Sequence, residues 1–274
     1  MRCGCFGAGR RVVAGTLWLV GASLLAVPVA AQQPARTPQS GAPVDLTGYW
    51  VSAITEDWRF RMVTPPKGDY ASVPLNPEGT KAANAWDMAK DVAAGEQCRA
   101  FGAAGIMRLP VRLHITWQDD KTLKVDIDNG QQTRLFRFDR PSAPHPPPDW
   151  QGISLAQWET VQQGQAVAPS DRGGDRELQT QPSGSLRVQT SNMRPGYLRR
   201  NGVPYSANAV LTEFFDRTVE PNGDSWLILT SIVDDPMYLT IPFMLTTHYK
   251  READGAKFNP RPCEETAPVT GLRR

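Results

Sequence analysis

Histidine and cysteine are scarce here, with three and four copies among 274 residues. That scarcity weighs against a histidine-built metal centre, which needs several donors at set spacings. There is no HExxH and no paired-histidine spacing, and one histidine, His145, lies in the proline-rich run APHPPP. The acidic turns lack the spacing of an EF-hand loop. Also missing are a GxSxG elbow, a P-loop, a GxGxxG dinucleotide loop and any setting that would activate a cysteine nucleophile. No metal and no cofactor is therefore expected. A Ser-His-Asp triad is assembled in space and leaves no spacing to read. No period of repeat-protein length runs through the chain.

A surplus of positive charge is missing as well, once the N-terminus is set aside. Residues 1–31 read as a signal peptide. Arg2, Arg10 and Arg11 precede the apolar run VVAGTLWLVGASLLAVPV, and Val29 and Ala31 supply small residues for cleavage before Gln32. A membrane anchor is the competing reading, but Gly15, Gly21 and Pro28 interrupt the run and polar QQPARTPQSG follows. Cys3 and Cys5 lie ahead of the apolar run, so they form no lipoprotein acylation site. Cleavage removes three arginines and no acid. Lys plus Arg then falls from 30 to 27 against 28 Asp plus Glu, and the net charge moves from +2 to −1. Nothing remains to suggest a nucleic-acid partner. The expected location is exported, periplasmic or extracellular, without stable membrane insertion after cleavage. Only Cys98 and Cys263 survive cleavage. One disulfide is the simplest reading in an exported chain, worth on the order of 4–5 kcal/mol by loop-closure entropy. Two buried thiols are the alternative.

Proline and glycine are abundant, at 24 and 23 copies, which favours a turn-rich fold. Residues 32–44 form a flexible, polar lead, and DLTGYWVSAIT reads as a first strand. Residues 76–95 read as one short helical segment. Asn76 can cap it, Pro77 suits its first position and Gly95 lies near its end. From Met107 the period changes to two. Met107, Leu109, Val111, Leu113, Ile115 and Trp117 share one face, and Arg108, Arg112, His114, Thr116 and Gln118 the other. KTLKVDID and QTRLFRF follow, joined at Asn129-Gly130 by what reads as a type I′ hairpin turn. Mobile loops are expected near 141–149 and 162–184. A second meander spans NAVLTEFFDRTVE, SWLILTSIV and LTIPFMLTTHYK, with PNGD and DDP as its turns. Residues 264–274 read as a disordered tail. The pattern predicts a mainly β domain over 45–263, an antiparallel barrel or strongly curved sheet.

The order of several segments resembles a group of exported, largely uncharacterised bacterial proteins described as lipocalin-like. The segments are PLNPEG…AWD…C, IMRLP…ITWQDD, WQGISLAQWE, GSLRVQTSNMRPGYLRRNGVPYS and LTEFFDR…WLILTSIVDDPMYLTIPF…C. The resemblance runs from Asp45 to Cys263. It implies a lipocalin-like β-barrel and carries over no catalytic residue. The Gln- and Gly-rich segment 162–184 departs from it and reads as a surface insertion.

Candidate site residues come from chemistry and parity. His114 sits beside Arg112 on a polar strand face, as an exterior wall residue or as a cavity-facing acid/base. His248 shares a face with Met244, Thr246 and Lys250, opposite Phe243, Leu245 and Tyr249. Trp58, Phe60 and Met62 alternate with Arg59 and Arg61 if they form a strand, which would suit a planar or sugar ligand bearing an acid. NMRPGYLRRNGVPYS brings Arg194, Tyr197, Arg199, Arg200 and Tyr205 into a Gly/Pro-shaped loop, either a site or a crossover closing a barrel end. Glu213 falls on the face of Ala209, Leu211 and Phe215. Buried there it needs a partner or a proton, and Arg194 or His114 is the candidate partner. The leading expectation is a binder of a small, partly hydrophobic or aromatic ligand through Trp58, Arg112, Tyr205 and His248. The alternative is a cofactor-free lyase, hydratase or isomerase using His114, Glu213, Tyr197 and Arg194. An envelope interaction domain is the third reading. Oligomeric state does not follow from the sequence.

Overall fold

A computed structural model describes residues 36–140, 146–160 and 184–270. The expected signal peptide, His145 and nearly all of the 162–184 segment lie outside them. In chain order the elements are β1 (Gly48–Ala53), α1 (Trp58–Arg61), α2 (Pro77–Ala85), α3 (Met88–Ala93), a 3-10 turn (Gln97–Phe101) and α4 (Ala103–Ile106). There follow β2 (Arg112–Asp119), β3 (Thr122–Ile127), β4 (Asn129–Gly130), β5 (Gln132–Arg137), β6 (Ile153–Thr160) and β7 (Gly184–Ser191). The chain ends with β8 (Gly196–Arg199), β9 (Val203–Tyr205), β10 (Val210–Val219), β11 (Ser225–Asp234), β12 (Phe243–Glu252) and β13 (Arg261–Pro262).

The period-two segments become the staves of a closed nine-strand barrel, in the order β1-β12-β11-β10-β7-β6-β5-β3-β2, with β1 pairing both β12 and β2. The mainly β barrel expected from the pattern is therefore present. One pair departs from antiparallel order: β5 and β6 run parallel, with Phe136 opposite Ser154 and Arg137 opposite Leu155. A tight hairpin cannot join parallel strands: β5 ends at the barrel end opposite to the one where β6 begins. The Asn129-Gly130 turn also differs from expectation. Positive φ falls on Gly130 and Gln131, not on Asn129, because Asn129 and Gly130 are held in a short parallel ladder with Arg261 and Pro262 of β13.

Parity sorts the barrel walls. Trp50, Leu113, Phe136, Val188, Phe215 and Tyr249 point inward and are fully buried. A barrel of this strand number is just wide enough for side chains to fill, and these side chains pack its interior. Burying each such side chain stabilises the fold by about 1.5–3 kcal/mol. One inward pair is charged: Arg134 and Glu213, at 0% and 1% side-chain exposure, form a bidentate ion pair at 2.9 and 2.6 Å. Arg134 also donates to Thr190 Oγ1, which pairs with Ser154 Oγ at 2.8 Å.

The strand directions place the connections 54–111, 128–131, 192–209 and 235–242 at the same end of the barrel. A second apolar cluster forms there around Met193, Leu198, Val203, Leu239 and Phe243. The helical segment 76–95 lies in this cap but is broken in two. Trp86 takes ψ 137, ending α2, and Asp87 starts α3 by accepting from the Ala89 and Lys90 amides. The expected cap is in place: Asn76 accepts from Gly79 N at 2.8 Å, and Pro77 opens the helix. Gly95 takes φ 71 after α3. A Cβ on Gly79 would overlap the Tyr238 carbonyl, so α2 seats on the Asp235–Leu239 turn only through glycine.

Cys98 and Cys263 form the expected disulfide, with a Cα separation of 5.2 Å, tying the 3-10 turn to β13. Beyond it, residues 264–270 do not trail away as the expected disordered tail. Thr266 Oγ1 lies 2.7 Å from Thr64 Oγ1, and the Val269 amide donates to Thr64 O.

Candidate functional site

The cap holds a cleft of about 380 Å³ on the outside of the barrel. One wall is the C-terminal end of α2 and the start of α3, with Trp86, Asp87, Lys90 and Asp91. Facing it is the β8–β9 hairpin with Tyr197 and Tyr205, and Tyr238 from the turn after β11 closes a third side. The break between α2 and α3 makes this possible. It lets Trp86 turn inward, to 6% exposure, against Gly202, whose φ of 80 and missing side chain admit the indole.

The floor of the cleft is polar and tightly held. Asp91 accepts from Tyr197 Oη and from Arg99 Nη1, both at 2.7 Å, and the Arg99 guanidinium lies 4.9 Å from the Tyr197 ring centroid. Burial, followed by the Asp91 hydrogen bond, raises the Tyr197 hydroxyl pKa. Burial opposes the Arg99 charge, but the bond to Asp91 together with the charge interactions with Tyr197, Asp91 and Glu96 outweighs it and the guanidinium pKa rises. Nearby Glu265 is pushed up to about 7 by burial and by the Asp91 charge, against the pull of Arg99. The disulfide positions both charged neighbours of Asp91, since Arg99 follows Cys98 and Glu265 lies two residues past Cys263. Three buried polar atoms of cleft residues, Trp86 Nε1, Arg99 Nε and Tyr205 Oη, have no hydrogen-bond partner among the described residues. Tyr205 Oη is wedged where a Cβ on Gly102 or Gly196 would collide with it.

Of the residues singled out by sequence, Tyr197 and Tyr205 meet in this cleft. Arg194 stays outside its lining, bonded to Glu96 at 2.8 and 3.1 Å with its guanidinium 4.1 Å from the Trp150 ring. The others are elsewhere, so the four-residue catalytic constellation does not form. His114 faces outward from the barrel and stacks on Tyr49 at 4.1 Å, with burial lowering its pKa. Glu213 points inward as parity requires, but Arg134 is its partner, in place of Arg194 or His114. Arg112 faces outward and bonds Glu252 at 3.1 Å, and His248, also outward, lies 3.9 Å from Glu56. Trp58 is on the short helix α1, not a strand, and is 56% exposed.

Sequence reasoning missed Trp86, Asp91, Arg99 and Tyr238. Trp86 and Asp91 fall in the stretch read as one helical segment, because nothing in the pattern marked the break at Trp86, and Arg99 lies past its end. Asp235 was missed too: fully buried, it accepts from Ser206 N and Ser206 Oγ at 2.6 and 2.8 Å and locks the hairpin connection to the turn that carries Tyr238.

No protein-family model, curated protein or solved structure matches the chain. The resemblance to exported lipocalin-like proteins therefore rests on the quoted segments alone.

Proposed function

We propose that the chain is an exported protein that binds a small, partly aromatic molecule in the cleft between α2–α3 and the β8–β9 hairpin. The observation that carries this reading is the cleft's construction: one indole and three phenol rings around a fixed Asp91–Arg99 pair. Small-molecule sites commonly combine apolar walls with a few placed polar groups. Asp87 and Asp91 balance Lys90 and Arg99, which suits an uncharged or zwitterionic ligand with a flat ring. Binding in the barrel interior is disfavoured by the side chains that pack it. Export draws support from the disulfide, since such bonds persist in oxidising compartments. No helix among the described residues is long and apolar enough to cross a membrane, which leaves strands unaddressed.

Native mass spectrometry of the protein purified from its own host tests the reading. The wild type should carry a small-molecule adduct. Gly202→Ala, which places a methyl group where Trp86 packs, should lose it, and Lys121→Ala in a distant hairpin should keep it. A wild type free of any adduct, or an adduct kept by Gly202→Ala, contradicts the proposal.

A further inference from the structure

A second cluster lies in the same cap, away from the cleft. Five guanidiniums gather there: Arg59, Arg61, Arg108, Arg199 and Arg200. Three are deeply buried, Arg61 at 1%, Arg108 at 5% and Arg199 at 2% exposure. Main-chain carbonyls fix one edge of each. Arg61 Nε donates to Arg108 O at 2.8 Å, Arg108 Nη1 to Leu198 O at 3.1 Å, and Arg199 Nη1 to Ala71 O at 2.7 Å. Arg200 Nη2 donates to Arg61 O at 2.9 Å. Aromatic rings bind the cluster together. The Arg199 guanidinium lies 3.9 Å from the Phe60 centroid and 6.0 Å from that of Phe243, and Arg108 lies 5.4 Å from Phe243.

The remaining edges are unsatisfied. Arg61 Nη2, Arg108 Nε and Nη2, and Arg199 Nε and Nη2 are buried without a hydrogen-bond acceptor among the described residues. Nearby carboxylates do not meet that demand. Asp69 is engaged by Arg59 and Glu56 by Arg61. Asp57 reaches only to 4.0 Å of Arg108 Nη2. Five guanidiniums, with His248 beside Glu56, thus face three carboxylates. The charges are costly where they sit: burial and then the neighbouring Arg199 charge lower the Arg108 pKa to about 9, and burial lowers that of Arg199 to about 10. Ring faces attract a cation but accept no pair of N–H bonds in its plane. Unmade hydrogen bonds on buried charges are among the costlier features a fold retains.

We propose that Arg108 and Arg199, supported by Arg61, form an anion site that takes a carboxylate or a small tetrahedral oxyanion. The planar forks present paired N–H groups at the spacing of such oxygens, which is the geometry that makes arginine suited to them. The cover over the site is slight. It is the four-residue α1, preceded by Asp57 at φ 51 with no side-chain cap bond. Asp57 and Glu56 keep 35% and 40% of their side chains exposed, and Trp58 and Met62 lie at the surface on the same turn. An incoming anion takes the position that Asp57 approaches without filling. None of these arginines lines the aromatic cleft, so this proposal stands or falls apart from the one above.

Isothermal titration of the folded full-length chain, at constant ionic strength in chloride, tests it with four probes: inorganic phosphate, sulfate, acetate and benzoate. At least one probe should bind at a single saturable site and raise the melting temperature in step with its occupancy. Acetate or benzoate binding identifies a carboxylate site, and phosphate or sulfate binding a tetrahedral one. Arg199→Gln and Arg108→Gln should each weaken binding by at least tenfold, while Arg187→Gln on the barrel exterior should leave it unchanged. If the buried variants do not fold, the side-chain Nε–Hε resonances of wild-type Arg108 and Arg199 should shift on adding the bound probe. No saturable binding of any of the four, equal loss in Arg187→Gln, or shifts confined to other arginines overturns the proposal.

Discussion

Glu265 shows how much one side chain's surroundings decide. It sits near Asp91, with one carboxyl oxygen buried and unpartnered among the described residues, and its pKa is about 7 against an ordinary 4.5. Raising an acid's pKa on folding means that the folded state resists ionisation. Its favourable contribution is whole below pH 4.5 and is lost as pH rises through about 7, because the unfolded carboxyl ionises first. Glu265→Gln removes that dependence. The variant's melting temperature should match wild type near pH 4, exceed it increasingly from pH 5 to 7, and hold a constant lead above. A lead that does not change with pH would show that Glu265 ionises freely. Nothing in the sequence singled this residue out. Its pKa depends on burial and then on Asp91, which is 174 positions away and near which the Cys98–Cys263 disulfide and the Thr64 contacts hold it. His114 gives the opposite lesson. Strand parity put it on the face of Arg112 and Thr116, and that face meets solvent and Tyr49. Its identity as a histidine suggested catalysis, but its position on the strand decided otherwise.

Among the elements, the strands were the most legible. A period of two assigns each residue to a face, and a one-residue slip would reverse every assignment. Glu213 was therefore placed inward by β10 alone. Its partner was not readable, because Arg134 belongs to β5 and meets it only across the closed barrel. That pair has a distinct mutational signature. Glu213→Leu strands a buried guanidinium, and Arg134→Leu a buried carboxylate, so each should cost about 3–5 kcal/mol. The double variant replaces both charges with apolar groups and should recover most of that loss in denaturant unfolding. Additive losses would mean that the two charges do not depend on each other. The short helices were harder to read. Alternation of Trp58, Phe60 and Met62 with Arg59 and Arg61 suggested a strand, but four residues fit either period, and packing in the cap settled them as α1. Asn76, Pro77 and Gly95 marked the outer limits of the helical segment correctly. The internal break at Trp86 carries no Gly or Pro signal, and the wall of the cleft is built on that break.

For the whole molecule, the arrangement separates stability from chemistry. The barrel interior is packed by its own side chains and one ion pair. Among the described residues most buried unsatisfied polar groups collect instead in the cap, where loops 54–111, 192–209 and 235–242 converge, with Arg134 Nε and Thr247 Oγ1 the exceptions on barrel strands. Such loops, held on a rigid scaffold, are where binding residues concentrate. Composition revealed the turn-rich barrel, and cysteine count the disulfide. The cleft was hidden because it draws on four separate stretches of chain. The most direct test of its role follows the indole N–H resonances in a ¹H–¹⁵N spectrum, comparing protein purified from its host with the same protein unfolded, washed free of ligand and refolded. Trp50 Nε1 is bonded to Leu46 O inside the barrel, whereas Trp86 Nε1 has no acceptor among the described residues. Ligand in the cleft predicts that the Trp86 resonance shifts between the two samples while that of Trp50 does not. A shift at Trp50 with Trp86 unmoved would place the ligand in the barrel and contradict the account.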